Sequence, residues 1–423
     1  MRSKKRLIFS TGIISIAACI LFFIGVGKKE GEDKLTINDS LGVSIHEIEW
    51  GNTDFSKIKQ FGMHTVRDAF VWDIIEKEKG VYNFTNNEKI NYDNFIEKFK
   101  KNNLRPYIML LYANKLYNDN RALDNDEIKK AYAKWAAESA KRYRNHNIIW
   151  EIYNEPNHEN FWNPQTDSAR HYFEVVQLTA PEIKKNDPSG IVVAPALASL
   201  NSESLQWLEE TFKLGILEYI DAISVHPYRQ NNPETVISNY EDLKNLIIKY
   251  TDKDVPIISG EWGYSDIANL DKSGRKGSDQ LTQAKFITRM TLINHSLGIP
   301  SILYDWEDDG TDSEHIEHHF GLLNFEGKEP KLAGTAIKIL SDTIGDYRFV
   351  ERMDTDEDSD FIFKYTNGDY IAYAVWTTGD NHFINLKVDG AGKVVNMLGK
   401  QSSYNGKEIT LSITDSPIYI LID

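Results

Sequence analysis

The feature that most constrains the fold of this chain is a regular alternation of short apolar runs with amphipathic helical stretches between residues 41 and 345. Eight runs share a strand-like length and a nearly continuous apolar character, and they lie at 41–46, 64–70, 104–112, 147–154, 190–199, 221–228, 255–262 and 301–306. Helical periodicity is clearest at 91–103, 126–144 and 240–250. Apolar strands that alternate with helices indicate a parallel sheet covered on both faces. Eight such units fit a (β/α)8 barrel better than a six-stranded open sheet.

The pattern changes at residue 346, where short alternating strands with turn signals begin. An Asn367-Gly368 pair between two of these strands predicts a hairpin. Residues 346–423 are therefore predicted to form a small antiparallel β-sandwich beside the barrel. The acidic segment 354–358 lacks the later glycine and glutamate of an EF-hand, so a solvated loop is the preferred interpretation.

The first 27 residues have a composition of their own. Four basic residues precede a charge-free run from residue 7 to residue 27, which is long enough to span a bilayer. The excess of positive charge before this run predicts a cytoplasmic N-terminus and an extracytoplasmic remainder, tethered to the membrane through a polar linker at 28–40. A cleaved signal peptide and a lipid anchor at Cys19 are the alternatives.

Composition narrows the class of partner. The formal net charge of −15 argues against a nucleic-acid surface, which requires a basic patch. Hydrophobic residues make up 41% of the chain, enough to bury a large core. A monomer without a cofactor is expected.

The candidate functional residues are the polar side chains that close the apolar runs, because the carboxyl ends of barrel strands surround the active site. Two glutamates, Glu155 and Glu261, close the fourth and seventh runs. Strands four and seven lie on opposite sides of a barrel mouth, so the two carboxylates can flank one bond. Glycoside hydrolysis needs such a pair, in which one group protonates the leaving oxygen and the other attacks or activates water.

Further strand-end residues are predicted to bind or orient the substrate, namely His46, Arg67, Trp72, Tyr112, Asn154, His226, Tyr228, Trp262 and Trp306. Asn154 could bond the sugar hydroxyl next to the reacting carbon. His226 and Tyr228 are expected beside Glu261, with a core position as the alternative. Trp72 and Trp262 are equally consistent with sugar stacking and with core packing, and Arg67 with substrate contact and with holding one of the glutamates.

Three stretches, IIWEIYNEPN, SVHPYRQNNPETV and PIISGEWGYS, resemble the clan of (β/α)8 glycoside hydrolases with catalytic glutamates on strands four and seven. Within this clan the chain is most similar to family 39, which includes β-xylosidases and bacterial exopolysaccharide endoglycosidases. The resemblance implies retention of configuration, with Glu155 as acid/base and Glu261 as nucleophile. It also implies that Trp306 forms the floor of the subsite for the reacting sugar.

The leading hypothesis is a retaining glycoside hydrolase that cleaves a bacterial exopolysaccharide internally, because an anchored enzyme suits the trimming of a polymer where it is exported. The alternatives are an exo-acting β-xylosidase or related β-glycosidase, a non-catalytic carbohydrate-binding protein on the same scaffold, and a glycosyl-transferring enzyme. None of these needs a metal. The histidine-rich segment 314–319 is interpreted as a loop at the rim of strand eight.

Overall fold

Eight parallel strands close into a barrel, as the alternation of apolar runs predicts. A computed structural model describes residues 34–86, 89–118, 120–268, 270–272 and 274–423. Each strand pairs with its neighbour in sequence, and the first pairs with the eighth. The strands are β1 (Leu41–Ser44), β2 (Thr65–Val71), β3 (Arg105–Leu111), β4 (Ile149–Ile152), β5 (Ile191–Leu197), β6 (Ala222–Val225), β7 (Ile257–Trp262) and β8 (Ser301–Leu303). Every strand lies within or nearly within a predicted apolar run.

Helices connect the strands and cover the barrel. They are α1 (Ile37–Ser40), α2 (Glu47–Trp50), α3 (Phe55–Gln60), α4 (Trp72–Ile75), α5 (Tyr92–Asn102), α6 (Asp126–Arg142), α7 (Ser168–Asn186), α8 (Ser202–Leu214), α9 (Val236–Ile248), α10 (Gln280–Ser296) and α11 (Leu332–Ile344). The three predicted helical stretches correspond to α5, α6 and α9. Asn91 and Asn125 begin the first two by accepting hydrogen bonds from backbone N–H groups that have no partner inside the helix.

The barrel interior is apolar at its base and polar at its top. Side chains on a strand alternate between its two faces, so every second residue points into the barrel. Seven inward residues form a buried layer, made of Tyr107, Ile149, Ile191, Val193, Ala222, Ile258 and Ile302. Glu151 follows Ile149 by two positions and is completely buried. A carboxylate therefore lies at the top of this layer, directly below the barrel mouth.

The C-terminal strands form one antiparallel sheet of six, in the order β13-β12-β14-β11-β10-β9. They are β9 (Arg348–Arg352), β10 (Asp360–Thr366), β11 (Ile371–Thr377), β12 (His382–Asn396), β13 (Gln401–Ile413) and β14 (Ile418–Ile422). The predicted hairpin at Asn367-Gly368 joins β10 to β11.

The structure therefore has a C-terminal β domain, but a single curved sheet takes the place of the two stacked sheets of a sandwich. The pairing of β12 with β13 shifts between Lys387 and Gly390, which is the signature of a bulge. Beyond this bulge the same strand also pairs with β14. A bulge bends and twists a strand, so one long strand serves both halves of the sheet.

A buried ion pair joins the β domain to the barrel. Arg289 on α10 donates two hydrogen bonds to Glu234, at 2.8 and 2.5 Å. Trp376 on β11 donates its indole N–H to the same carboxylate at 2.8 Å. The junction is thus held by directed contacts as well as by apolar packing.

The N-terminal predictions fall mostly outside the described residues. The membrane-spanning run, Cys19 and the first part of the 28–40 linker belong to that portion. Residues 34–40, predicted as the end of the linker, are folded: Thr36 caps α1, and Ile37 is fully buried. Among the described residues, no helix is both long and apolar enough to cross a bilayer.

Candidate active site

Glu155 and Glu261 meet at the mouth of the barrel. One carboxylate oxygen of each lies within 4.8 Å of the other and of a ring nitrogen of His226. Both side chains remain partly accessible, at 12% and 16%. The two residues that the sequence places at the ends of strands four and seven are therefore close enough to act on one atom.

The chain after β4 turns sharply to present Glu155. Tyr153 and Glu155 both have left-handed backbone conformations, with φ of 68° and 49°. Such conformations cost roughly 1–3 kcal/mol in a residue other than glycine, and they concentrate at functional sites. The N–H of Glu155 donates to the carbonyl of Ala196 on β5, and Pro156 follows at once. This turn, rather than a continuing strand, carries the carboxylate to the rim.

His226 contacts Glu155 rather than Glu261 in the first instance. Its Nδ1 lies 2.7 Å from Glu155 Oε1, and the ring is fully buried. His226 lies beside Glu261, as the sequence predicts, but its hydrogen bond goes to Glu155, so the expectation that it orients Glu261 by hydrogen bonding is corrected. His226 lines neither cavity itself and reaches the cleft through Glu155.

Glu261 is held by two donors. The Tyr228 hydroxyl donates to Oε1 at 2.8 Å, as its position on the same side of the barrel predicts, and the Arg67 guanidinium donates to Oε2. Burial alone would raise the pKa of Glu261, but positive charge on His226 and Arg67, together with the Tyr228 hydrogen bond, lowers it. This carboxylate is therefore kept ionised.

A bulge in β7 aims Glu261 into the cleft. Ile258 and Gly260 point into the barrel, so strict alternation would send Glu261 outward. The pairing with β8 shifts between Ser259 and Trp262, and the extra residue reverses the alternation. Glu261 then faces the mouth and Trp262 faces the helices.

Arg67 links both sides of the site. Its guanidinium donates to Glu261 and, at 2.9 Å, to Asn154 Oδ1. It also donates twice to Glu151 and lies 3.4 Å from His226 Nε2. Of the two roles left open by the sequence, the structure shows Arg67 holding a glutamate, although it also lines the inner part of the cleft.

Two adjoining cavities make up the cleft. The outer cavity, of about 820 Å³, is lined by Glu155, Tyr228 and Glu261 among others. The inner cavity, of about 280 Å³, is lined by Arg67, Tyr112, Asn154 and Glu261 among others. His46 and Tyr304 belong to both. Most of the predicted polar residues are thus brought to one surface.

The three tryptophans predicted to contact sugar are buried in the structure. Trp72 is fully buried, stacks on Trp135 and donates to Glu76. Trp262 is 1% exposed. Trp306 is 2% exposed and meets Phe61 edge to face, so it does not form the cleft floor. All three point towards the covering helices and loops, and none lines either cavity.

Tyr304, which the sequence interpretation passed over, occupies the cleft in their place. It follows the last residue of β8, and its ring lies edge to face with His46 and with Tyr228, at centroid distances of 5.8 and 6.4 Å. Its hydroxyl donates to Asp309 at 3.2 Å. The signal was present in the sequence: Ile302 points inward, so two residues later an aromatic ring at the strand end faces the mouth.

His46 forms an acidic pocket with the loop after β8. Its Nε2 lies 2.7 Å from Asp305 and 3.6 Å from Asp309. Burial would lower the pKa of His46, but the negative charge of Asp305 raises it well above the usual value. Burial raises the pKa of Asp305 to about 7, against the opposing effect of His46. His46 is therefore held as a cation beside these carboxylates, where it lines both cavities.

Within the described part of the chain, two groups of side chains have the composition of metal ligands: the His46 pocket and the trio of Glu155, His226 and Glu261. In the second group Arg67 already supplies positive charge to Glu261, which leaves a cation little to neutralise. The histidines of 314–319 belong to neither group. The rings of His315 and His318 lie 4.4 Å apart, His318 accepts from the backbone of Asp312, and His319 pairs with Asp266.

Comparison with known proteins assigns the chain to a family. The family model of the cellulases, glycosyl hydrolase family 5, matches residues 32–310. The chain belongs to this family. It is a glycoside hydrolase and acts on carbohydrate, as the sequence predicts. No curated protein is significantly similar to it in sequence.

Solved structures of other glycoside hydrolases share its fold. A family 39 enzyme from the gut symbiont Bacteroides cellulosilyticus WH2 is 20% identical, with a TM-score of 0.75 over 91% of this chain and 81% of that one. A monomeric β-xylosidase from Caulobacter crescentus CB15 is 16% identical, with a TM-score of 0.66 over 90% and 95%. A family 30 endoxylanase from Clostridium papyrosolvens C71 is 13% identical, with a TM-score of 0.61 over 92% and 97%. The expected likeness of this glycoside hydrolase to family 39 is thus confirmed.

Proposed function

We propose that this glycoside hydrolase works by double displacement with retention, with Glu155 as acid/base and Glu261 as nucleophile. The observation that carries the proposal is the separation of the two carboxylates, whose nearest oxygens lie within 4.8 Å. Retaining enzymes hold the two groups about 5–5.5 Å apart, whereas inverting enzymes leave about 6.5–9.5 Å for a water molecule. The short separation favours direct attack by a carboxylate.

In the first step Glu261 attacks the anomeric carbon while the bond to the leaving oxygen breaks. Glu155 gives its proton to that oxygen. Arg67 and Tyr228 keep Glu261 ionised before the attack and hold it in line. Asn154 directs its amide oxygen to Arg67, which leaves the amide N–H groups for the sugar hydroxyl next to the reacting carbon.

In the second step water attacks the same carbon and Glu261 departs. Glu155 gave its proton to the leaving oxygen in the first step, so it is a carboxylate when the water arrives. Glu155 then accepts the proton of the attacking water and returns to its starting state. His226, 2.7 Å from Glu155, fixes the carboxyl orientation for both transfers.

Glu261→Gln and Glu155→Gln test these roles on a panel of polysaccharides and 4-nitrophenyl β-glycosides. We expect Glu155→Gln to lower turnover about 10²- to 10⁴-fold, the usual contribution of a positioned acid/base group, and Glu261→Gln to lower it at least as much, because the nucleophile is removed. Proton NMR of the first-formed sugar should show the anomer of the substrate. Wild-type activity in both variants, or an inverted first product, would refute the proposal.

For the substrate we propose internal cleavage of a bacterial exopolysaccharide. The outer cavity of about 820 Å³ lies at the upper end of the range for ligand pockets, which supports a bound oligosaccharide stretch. Release of oligosaccharides from the start of the reaction would support this mode. Monosaccharide as the sole product would support the alternative, an exo-acting enzyme like the Caulobacter β-xylosidase. Products longer than the substrate would indicate glycosyl transfer, and retention of a polymer without cleavage would indicate a binding protein.

We further propose that the enzyme is a monomer tethered outside the cytoplasmic membrane by residues 1–27. The support is the charge-free run flanked by an excess of basic residues. Fractionation of cells that express the full chain tests the location. We expect the activity in the membrane fraction, and we expect protease added outside intact cells to abolish it. Activity confined to the medium would favour signal cleavage.

A further inference from the structure

Arg67 is buried between two carboxylates, only one of which faces the cleft. Its side chain is 1% exposed. Its Nη1 donates to Glu261, which the mechanism uses. Its Nε and Nη2 donate to Oε2 of Glu151, at 2.9 and 2.7 Å. Two of the three guanidinium nitrogens therefore serve a residue that has no part in the steps described above.

Glu151 does not touch the substrate. It is completely buried, and it lines neither cavity. It lies on the inward face of β4, one alternation below the turn that carries Glu155. Any effect of Glu151 on the reaction has to pass through its hydrogen-bonded neighbours.

A second set of contacts fixes the Glu151 carboxylate from the other side. The Tyr107 hydroxyl donates to Oε1 at 2.6 Å and lies 3.0 Å from the Ser224 hydroxyl. Gly260, next to Glu261 in β7, leaves the room for this network. A Cβ there would lie 2.2 Å from Ser224 Oγ and 3.0 Å from the Tyr107 oxygen. Four strands thus contribute to one buried arrangement beneath the two glutamates.

The geometry constrains the guanidinium plane. Arg67 presents its donors in a rigid planar fork, so two bonds from Nε and Nη2 to one oxygen fix the plane and its rotation. The remaining donors then point at Glu261 and at Asn154. The negative charge of Glu151 also neutralises part of the positive charge of Arg67, so Glu261 interacts with a weaker net positive charge.

We propose that Glu151 is a positioning residue, which orients Arg67 towards Glu261 and Asn154 and balances its charge so that Glu261 stays nucleophilic. This inference rests on the proposed roles of Glu155 and Glu261. Without the negative charge of Glu151, Arg67 would stabilise the free carboxylate of Glu261 more strongly. It would not stabilise the glycosyl ester to the same extent, because Glu261 carries no negative charge in the ester. Attack on the sugar would then be slower.

Glu151→Gln separates the charge from the hydrogen bonds. The glutamine oxygen can accept from Arg67, and its amide can donate to the Tyr107 hydroxyl, so the network can persist without the negative charge. We expect kcat to fall about 10- to 100-fold with KM within about threefold of wild type, the range typical of a misplaced or mistuned group next to the chemistry. The acidic limb of the pH profile of kcat/KM should move to lower pH, because Glu261 loses a nearby negative charge and holds its proton less tightly.

Glu151→Asp provides the conservative comparison. It keeps the charge but withdraws the carboxylate from Arg67, so kcat should fall while the acidic limb stays nearer its wild-type pH. Glu234→Gln is the matched control, because Glu234 also receives two bonds from a buried arginine but lies at the junction with the β domain. It should lower the melting temperature and leave kcat and the pH profile unchanged.

Wild-type kcat and pH profile in folded Glu151→Gln would overturn the proposal. If that variant does not fold, Glu151→Asp decides, and wild-type kcat there would likewise overturn it. A fall in kcat with no shift of the acidic limb in Glu151→Gln would refute the charge-balancing part. These outcomes are distinct from failure of the proposed function, in which Glu155→Gln and Glu261→Gln would themselves remain active.

Discussion

The hydrogen bond from Tyr228 to Glu261 should set the position of the acidic limb of the pH–rate profile. Tyr228→Phe removes only the hydroxyl that donates to Glu261 Oε1 at 2.8 Å. A hydrogen bond to a charged group contributes about 1.5–3 kcal/mol. At roughly 1.36 kcal/mol per pKa unit, its loss would raise the pKa of Glu261 by about one to two units. Tyr228 lines the outer cavity, so water can replace part of the bond, and about one unit is expected.

The direction of the shift in Tyr228→Phe follows from the interactions that lower the pKa of Glu261. The Tyr228 hydrogen bond favours the charged form of the carboxylate. Without it Glu261 keeps its proton to higher pH, and the active, ionised nucleophile appears later as the pH rises. The acidic limb of kcat/KM therefore moves upward, in the direction opposite to that expected for Glu151→Gln.

The assay is kcat/KM on one hydrolysed substrate across the acidic range, for wild type and Tyr228→Phe. Tyr304→Phe is the matched control, because it removes a hydroxyl from the same cavity that donates to Asp309 and not to Glu261. Its acidic limb should stay at the wild-type pH. An unmoved limb in Tyr228→Phe, or equal shifts in both variants, would refute the reasoning.

Two further predictions concern the core. Trp306→Ala should lower the free energy of unfolding by about 3–5 kcal/mol, as for a buried aromatic residue. Tyr304→Ala should lower it less and should raise KM, because Tyr304 is only partly buried and lines the cleft. Urea unfolding and steady-state kinetics distinguish the two variants, and a raised KM in Trp306→Ala alone would restore the sequence prediction. Burial lowers the pKa of His295 to about 4, whereas in the unfolded chain it is about 6.5. As the pH falls below 6.5, His295 takes up a proton in the unfolded chain but not in the folded one. About 3 kcal/mol of stability is therefore lost by pH 4. His295→Gln should remove that part of the acid sensitivity of the melting temperature, and an unchanged dependence would assign it elsewhere.

The number and order of the barrel strands could be predicted from the sequence because the patterns that indicate them are local. Each apolar run is short, nearly continuous and followed by a helix or a polar turn, so strand number and order follow from pattern alone. The β domain was less predictable: the bulge near Lys387 and Gly390, which turns two expected sheets into one, depends on pairing across the sheet.

For several side chains near the cleft, strand alternation alone decides which way they point. On β2, Arg67 points inward and lines the inner cavity. Trp72, the first residue of α4, follows five positions later, so alternation continued past the strand end places it on the opposite face, where it packs among the helices. Counting positions from Arg67 therefore excludes Trp72 from the cleft without a structure. The same count from Ile302 favours Tyr304 at the end of β8. These two corrections were available in the sequence.

Glu261 and Trp262 show where the count fails. Alternation from Ile258 would place Glu261 on the outer face and Trp262 in the mouth, the reverse of what the structure has. The bulge between Ser259 and Trp262 exchanges them, and a bulge forms only against its partner strand, here β8. Gly260 lies next to Glu261 and points inward, as alternation from Ile258 predicts, and its lack of a side chain makes room for the Tyr107, Ser224 and Glu151 network. Two adjacent residues of β7 thus serve the site: the bulge aims Glu261, the proposed nucleophile, and Gly260 accommodates Glu151, the carboxylate proposed to position Arg67.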